Sequence, residues 1–121
     1  MIDYSDRRQE ARKIVMAFTL VYDLKKGNLL GYLRDLTVIG ARISGKKKQE
    51  VNTQVTLSIE LPNDLPGVSA ERLNIEAKVA HCITISGEID SYDIGFKFTD
   101  LQPEEMELIE KLLERYHFRP S

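Results

Sequence analysis

The sequence is poor in the residues that bind metals and form cross-links. It has one cysteine, Cys82, and two histidines, His81 and His117. A single cysteine excludes an internal disulfide and fits a reducing compartment. Structural zinc sites take four cysteine or histidine ligands, and the whole chain offers three. We therefore expect no metal and no cofactor.

The sequence also lacks tryptophan. Barrels that bind single-stranded nucleic acid stack the bases on exposed aromatic side chains interleaved with basic residues. Here Phe18, Phe96 and Phe98 fall on strand faces that are patterned as core. The basic run Lys46–Lys48 is typical of a solvated loop, although it could also serve as a docking surface. We expect no nucleic acid partner.

Strong net charge and long apolar runs are absent as well. The net charge is −2 over 121 residues, so a site for an anion has to be local. The longest apolar run, Ile14–Tyr22, is interrupted by Thr19 and is shorter than the roughly 20 residues of a membrane helix. The N-terminus lacks the basic and then apolar pattern of a secretory signal. We expect a cytoplasmic protein that does not insert into membranes.

Alternation of apolar and polar residues with period two dominates the chain and predicts β-strands. Short strands separated by turns, such as the turn at 25–28, favour an antiparallel barrel or sandwich. The absence of alternating β-α units argues against a doubly wound fold. The predicted strands cover about residues 14–22, 29–35, 41–44, 55–61, 73–86 and 93–99.

The end of the chain changes to helical periodicity. Pro103 suits the first turn of a helix, and Glu104 and Glu105 would lie near the positive end of its dipole. The apolar stripe consists of Met106, Ile109, Leu112, Leu113 and Tyr116. We predict one domain over 1–121, with a flexible N-terminal segment at 1–12, a β-barrel at 13–100 and a helix at 103–117 that packs on the sheet.

His81 and Cys82 are the one pair that could anchor catalysis. Adjacent residues of a strand point to opposite faces, so the two could hardly share a ligand. His81 falls on the apolar face and is interpreted as a core or rim residue, whereas Cys82 falls on the polar face. No third partner, nucleophile elbow, phosphate loop or dinucleotide fingerprint accompanies them. We predict that the protein is not an enzyme.

Two short motifs carry a functional signal. The first is Arg8-x-x-x-Arg12, which is preceded by Arg7, and the second is the stretch DLTVIG at 35–40. Taken alone, the first is typical of a solvated segment before a strand. The second is typical of a turn in which Asp35 and Thr37 bond local backbone and a glycine supplies permissive dihedrals.

The two motifs in this order and at this distance resemble the PilZ domain, a bacterial receptor module for cyclic di-GMP. The family pattern RxxxR matches R8-Q-E-A-R12, and [D/N]xSxxG matches D35-L-T-V-I-G40 with threonine in place of serine. Further likeness lies in VTLSIELP at 55–62, LNIEAKV at 73–79 and YDIGFKF at 92–98. The resemblance spans about residues 7–115. It implies a mainly all-β fold, a six-stranded antiparallel barrel with one C-terminal α-helix.

The resemblance also implies a ligand site. Its expected members are Arg7, Arg8, Arg12, Asp35, Thr37 and Gly40. Arginine forks would grip phosphates or guanine, and Asp35 would accept hydrogen bonds from the N1–H and N2–H edge of guanine. Thr37 would hold a base or fix the turn, and Gly40 would let the backbone approach the ligand.

The family serves motility, exopolysaccharide production, biofilm formation and virulence. We expect one cyclic di-GMP or, with Arg7, a stacked pair. Ordering of the N-terminal segment would relay the signal to an effector protein acted on in trans. The alternatives are a PilZ-like adaptor that binds no ligand and acts through protein contacts, and an unrecognised enzyme anchored on His81 near Cys82.

Overall fold

The structure is a computed structural model that describes residues 14–15, 19–65 and 67–117. In chain order its elements are β1 (Ile14–Val15), β2 (Leu20–Asp23), β3 (Leu29–Leu36), β4 (Gly40–Gly45), β5 (Gln54–Glu60), β6 (Arg72–Thr84), β7 (Tyr92–Phe98), α1 (Pro103–Arg115) and β8 (Tyr116–His117). The predicted first strand at 14–22 is thus represented by β1 and β2.

Six of the strands close into an antiparallel barrel in the order β2-β3-β4-β7-β6-β5. The predicted six-stranded antiparallel barrel with one C-terminal helix is confirmed. Among the described residues, the first strand of the barrel begins at Leu20. Strand β1 lies outside it and forms a two-residue parallel pair with β8.

The barrel is filled by the inward residues of each strand. The side chains of Val21, Leu33, Ile43, Leu57, Ile59, Ile75, Val79 and Ile94 are at most 1% exposed. Burial of one such side chain contributes about 1.5–3 kcal/mol, which is why the apolar alternation decides the strand faces. Phe96 and Phe98 are also buried in this core, as their positions predicted.

Helix α1 covers one side of the barrel with a narrower stripe than predicted. Ile109 and Leu112 are buried, whereas Met106 is 41% exposed. The helix begins with a capping box, in which the backbone N–H of Gln102 donates to the Glu105 carboxylate at 2.9 Å. This contact supplies an acceptor for one of the backbone donors at the start of the helix. Within the described parts of the chain, no helix is long and apolar enough to cross a membrane.

The predicted helix end at residue 117 is wrong by two residues. Helix α1 ends at Arg115, and Tyr116 is extended, with φ −130° and ψ 150°. Tyr116 pairs with Ile14 through its backbone. Its side chain is buried, and its hydroxyl donates to Asp64 Oδ1 at 2.5 Å. Burial, followed by this hydrogen bond, raises the pKa of Tyr116. These partners are distant in sequence, so the local helical pattern could not indicate where the helix ends.

Candidate ligand-binding cavity

A β-bulge in β3 sets two polar residues, Arg34 and Asp35, opposite one residue of β4. The pairing of β3 with β4 shifts register between Leu33 and Asp35, and Asp35 pairs with Arg42. Arg34 is the extra residue of this bulge and is exposed. Bulges re-aim side chains and are common beside binding sites. Here the bulge places Asp35 opposite Arg42 in the strand ladder.

A second bulge lies at the same level of the barrel, in β6. The pairing of β6 with β7 shifts register between Val79 and His81, and His81 pairs with Gly95. Gly95 in turn pairs with Arg42 of β4. Ala80 is the extra residue here. One row across four adjacent strands therefore runs from the bulge in β3, through Arg42 and Gly95, to the bulge in β6.

A cavity of about 290 Å³ opens on the outer face along this row. It is lined by Asp35, Thr37, Ile39, Gly40, Ala41, Arg42, Ala80, His81, Gly95, Phe96 and Lys97. The volume is at the lower end of the range for small-molecule sites. It suits one planar ring system, so a larger ligand would extend beyond it over the surface.

The β3–β4 turn at 37–39 forms one wall of the cavity and is fixed by Thr37. The Thr37 hydroxyl accepts from the backbone N–H groups of Ile39 and Gly40, each at 3.2 Å, and donates to the Gly40 carbonyl at 3.3 Å. The Thr37 N–H also donates to that carbonyl, at 2.9 Å. Of the two roles expected for Thr37, the structure shows the turn-fixing one.

Asp35 is half-buried at the edge of the cavity. Its Oδ1 accepts from the backbone N–H of Leu36 at 3.0 Å. Among the described residues its Oδ2 has no hydrogen-bond partner. A carboxylate oxygen can accept two hydrogen bonds. Asp35 therefore has acceptor capacity left for a ligand with N–H groups.

Gly40 is required by strand packing. It does not have a positive φ, so the permissive dihedrals expected of it are not used. A Cβ at this position would collide with the backbone carbonyl oxygen of Phe96 in β7. A side chain here would therefore force β4 and β7 apart beside the cavity, and this contact explains the glycine.

Two residues with cationic side chains, Arg42 and Lys97, line the cavity. Arg42 Nε lies 3.2 Å from Asp93 Oδ1, and both side chains are partly exposed. Lys97 pairs with Gly40 across the strands and is exposed. Arg34 lies outside this cavity and lines a neighbouring one together with Arg42, Glu88 and Asp93. This side of the barrel therefore offers cations to a negatively charged ligand, although the net charge of the chain is −2.

The faces predicted for His81 and Cys82 are wrong. The bulge between Val79 and His81 interrupts the alternation, so His81 lines the outer cavity. Cys82 instead packs against the core, and its sulfur accepts from the backbone N–H of Gln49 at 3.4 Å. The two side chains do point to opposite faces, as predicted. In the described portion of the chain, no group of three potential metal ligands occurs.

The structure brings together three of the six predicted site residues, Asp35, Thr37 and Gly40. The other three, Arg7, Arg8 and Arg12, lie outside the described residues. Sequence reasoning missed Arg42, Gly95 and Lys97, together with the placement of His81. These residues come together because β3, β4, β7 and β6 pair side by side. No local pattern in the sequence predicts this strand order.

A known family matches this sequence over most of its length. The model of the PilZ domain matches residues 6–115, which is nearly the whole chain. The chain belongs to the PilZ family. PilZ domains are generally non-catalytic binding domains known for cyclic di-GMP binding, and the matched range contains both motifs. Searches of curated proteins and of solved structures gave no match.

Proposed function

We propose that this PilZ domain is a non-enzymatic receptor for cyclic di-GMP and that the cavity between the two bulges holds one of its guanines. The observation that carries the proposal is that Asp35, Thr37 and Gly40 of the second motif line a single cavity. Its volume of about 290 Å³ suits a base rather than the whole dinucleotide. The phosphates and the second base would then lie outside it.

Asp35 gives the cavity its preference for guanine. Guanine presents N1–H and N2–H side by side, and a carboxylate can accept from both. Adenine has an acceptor at N1 and no amino group at C2, so it offers Asp35 no such pair. The turn built by Thr37 would hold Asp35 at the edge of the base.

The three N-terminal arginines would bind the charged part of the ligand. Guanidinium groups grip phosphate oxygens in bidentate fashion and stack on bases. Arg8 and Arg12 are proposed to close over one cyclic di-GMP, and Arg7 to recruit a second, stacked molecule. Arg12 precedes β1 by two positions, and β1 pairs with β8 at the end of α1. Ordering of residues 1–12 by the ligand is therefore the proposed signal to an effector protein.

The biological setting of the proposal is bacterial second-messenger signalling in the cytoplasm. The effector, acted on in trans, would serve motility, exopolysaccharide production or biofilm formation. The exposed face of α1 and the loop at 46–48 are available for docking. Lys46 of that loop donates to the Ser91 hydroxyl at 3.1 Å.

Titration calorimetry with cyclic di-GMP tests the proposal. The wild type should bind cyclic di-GMP and not cyclic di-AMP, and added salt should weaken the binding because phosphate contacts are screened. Arg8→Ala and Arg12→Ala should each lose roughly 1.5–3 kcal/mol of binding free energy, the scale of a hydrogen bond to a charged group. Lys26→Ala, in the β2–β3 turn, is the control and should bind as the wild type does.

Absence of any binding heat for the wild type would refute the proposal and favour the adaptor. One observation is compatible with an adaptor: the hydrogen bonds of the Thr37 hydroxyl stay within its own turn. An adaptor would bind its effector protein without cyclic di-GMP, and Arg12→Ala would not change that binding.

A further inference from the structure

His81 faces the motif residues from the opposite side of the cavity. It is the last member of the row that begins at Asp35 and passes through Arg42 and Gly95. Asp35 and His81 belong to strands that are three positions apart in the closed barrel, and both residues line the same cavity.

Gly95 lets the imidazole of His81 reach toward Asp35. A Cβ on Gly95 would collide with Cε1, Nδ1 and Nε2 of the His81 ring, so the ring occupies the place of the missing side chain. This position brings the ring over β7, the strand that lies between β6 and β4. The ring and the Asp35 carboxylate line the same cavity, whose volume of about 290 Å³ suits one purine.

The imidazole also has an unused hydrogen-bonding atom. Nε2 of His81 is buried and has no hydrogen-bond partner in the described part of the structure. Buried polar atoms without partners are uncommon, and each asks for an explanation. Rotation of the ring by half a turn exchanges Nε2 with Cε1. The two orientations of the ring present different atoms to their surroundings, and both keep the ring over Gly95.

We propose that His81 is a ligand-binding residue that donates an imidazole N–H to the N7 edge of the purine whose opposite edge is bound by Asp35. N7 and O6 of guanine are acceptors, and an imidazole carries an N–H donor in either tautomer. The base would be held from two sides, by an acceptor on β3 and by a donor on β6. This inference rests on the proposed function, because it names a further contact of the same site.

Nuclear magnetic resonance of the imidazole nitrogens tests the contact without disturbing it. The chain has two histidines, so His117→Gln leaves His81 as the single source of these signals. Addition of cyclic di-GMP should shift the Nδ1 or Nε2 resonance of His81 and saturate at the stoichiometry found by calorimetry.

Calorimetry on His81 variants measures how much this contact contributes to cyclic di-GMP affinity. His81→Ala should weaken binding about tenfold, the effect of one lost hydrogen bond. His81→Asn keeps an N–H donor and should lose less. Cys82→Ala, on the opposite face of the same strand, should leave the dissociation constant unchanged.

The outcomes separate this inference from the proposed function. If the wild type does not bind cyclic di-GMP, the proposed function fails and the inference falls with it. If the wild type binds, and the His81 signals stay in place or His81→Ala keeps full affinity, only the inference is overturned. An affinity loss in His81→Ala without a shift of the wild-type ring signals would assign His81 to barrel packing and would also overturn it.

Discussion

The β3–β4 turn beside the cavity and the end of helix α1 are stabilised in opposite ways. In the turn, Thr37 is exposed and bonds backbone groups at most three positions away. At the end of the helix, Tyr116 is 3% exposed and bonds Asp64, which lies 52 positions earlier. The turn is a local structure on the surface, whereas the helix end is buried and contacts a distant part of the chain.

This difference in location suggests that the helix end contributes mainly to stability and the turn mainly to ligand binding. Buried contacts between distant parts of a chain open only in large unfolding events, whereas surface turns open locally. The apolar contacts of Ile109 and Leu112 tie α1 to the barrel and do not line the cavity. Substitutions in the two regions should therefore have separable effects on stability and on ligand affinity.

The largest effect on folding is expected from Leu112→Ala at the helix end. Leu112 is 1% exposed, and removal of a fully buried leucine side chain costs about 2–5 kcal/mol of unfolding free energy. Urea denaturation followed by circular dichroism measures the loss. Met106→Ala, on the exposed face of the same helix, should change the unfolding free energy by about 0.5 kcal/mol or less.

The cyclic di-GMP affinity of Leu112→Ala tests whether the helix end affects binding. Under conditions in which Leu112→Ala remains folded, it should bind cyclic di-GMP as tightly as the wild type. A matching loss of affinity would show that the helix end and the cavity are coupled.

The next largest effect is expected from Asp35→Asn, which should weaken cyclic di-GMP binding and leave the stability of the fold unchanged. The amide oxygen can still accept from the Leu36 N–H, so the turn should remain intact. The amide N–H₂ would instead oppose the N–H groups of guanine, and we expect a loss of roughly 1.5–3 kcal/mol of binding free energy. Calorimetry measures the binding, and Asp100→Asn, an exposed aspartate between β7 and α1, should behave as the wild type. A drop in thermal stability as large as the loss in affinity would contradict the separation.

The same contrast explains how much of the molecule could be predicted from the sequence. Signals within a few residues predicted three kinds of element. The alternation of apolar residues predicted strands such as β5, Asp35 and Thr37 predicted the β3–β4 turn, and Pro103 predicted the start of α1. The family resemblance added the closure into a barrel, and it named Asp35, Thr37 and Gly40 as site residues. The strands, the barrel and the helix start are confirmed because local preferences and tertiary packing agree there. The three site residues line one cavity, and their role in binding stays a prediction.

The bulges and the helix end could not be predicted from such signals. Alternation assumes a regular pleat, and the bulge before His81 reverses the faces of His81 and Cys82. The extended conformation of Tyr116 depends on Asp64 and on β1. Both features are set by partners that are distant in sequence. The cavity lies between two such bulges, which is why only one of its walls could be predicted.

A smaller effect on stability is expected from Tyr116→Phe. The substitution removes the hydrogen bond to Asp64 and keeps the buried ring, so the unfolding free energy should fall by about 1 kcal/mol at neutral pH. Urea denaturation measures it, and Tyr92→Phe is the control, since no hydroxyl hydrogen bond of Tyr92 occurs among the described residues. An unchanged unfolding free energy would mean that water replaces the bond without loss.

The alkaline pH dependence sharpens the assignment to Tyr116. Burial and the Asp64 bond raise the pKa of Tyr116 in the folded protein above its ordinary value of 10.0. The folded state therefore holds this proton more tightly than the unfolded state. The stabilisation of the folded state by protonated Tyr116 is complete below pH 10.0. It is lost as the pH rises through the folded-state pKa. The wild type should lose more stability than Tyr116→Phe between pH 9 and pH 11, whereas equal losses would contradict the assignment.

The smallest effect is expected from Thr37→Ser in the turn. Serine keeps the hydroxyl that bonds Ile39 and Gly40, so the unfolding free energy should change by about 0.5 kcal/mol or less. Loss of the methyl group frees rotation about χ1 and removes bulk at the cavity wall. Cyclic di-GMP should therefore bind as tightly or a few-fold more tightly, as measured by calorimetry. Thr37→Val removes the hydroxyl, should loosen the turn and should weaken binding. Equal affinity in Thr37→Val and the wild type would show that the turn does not position Asp35.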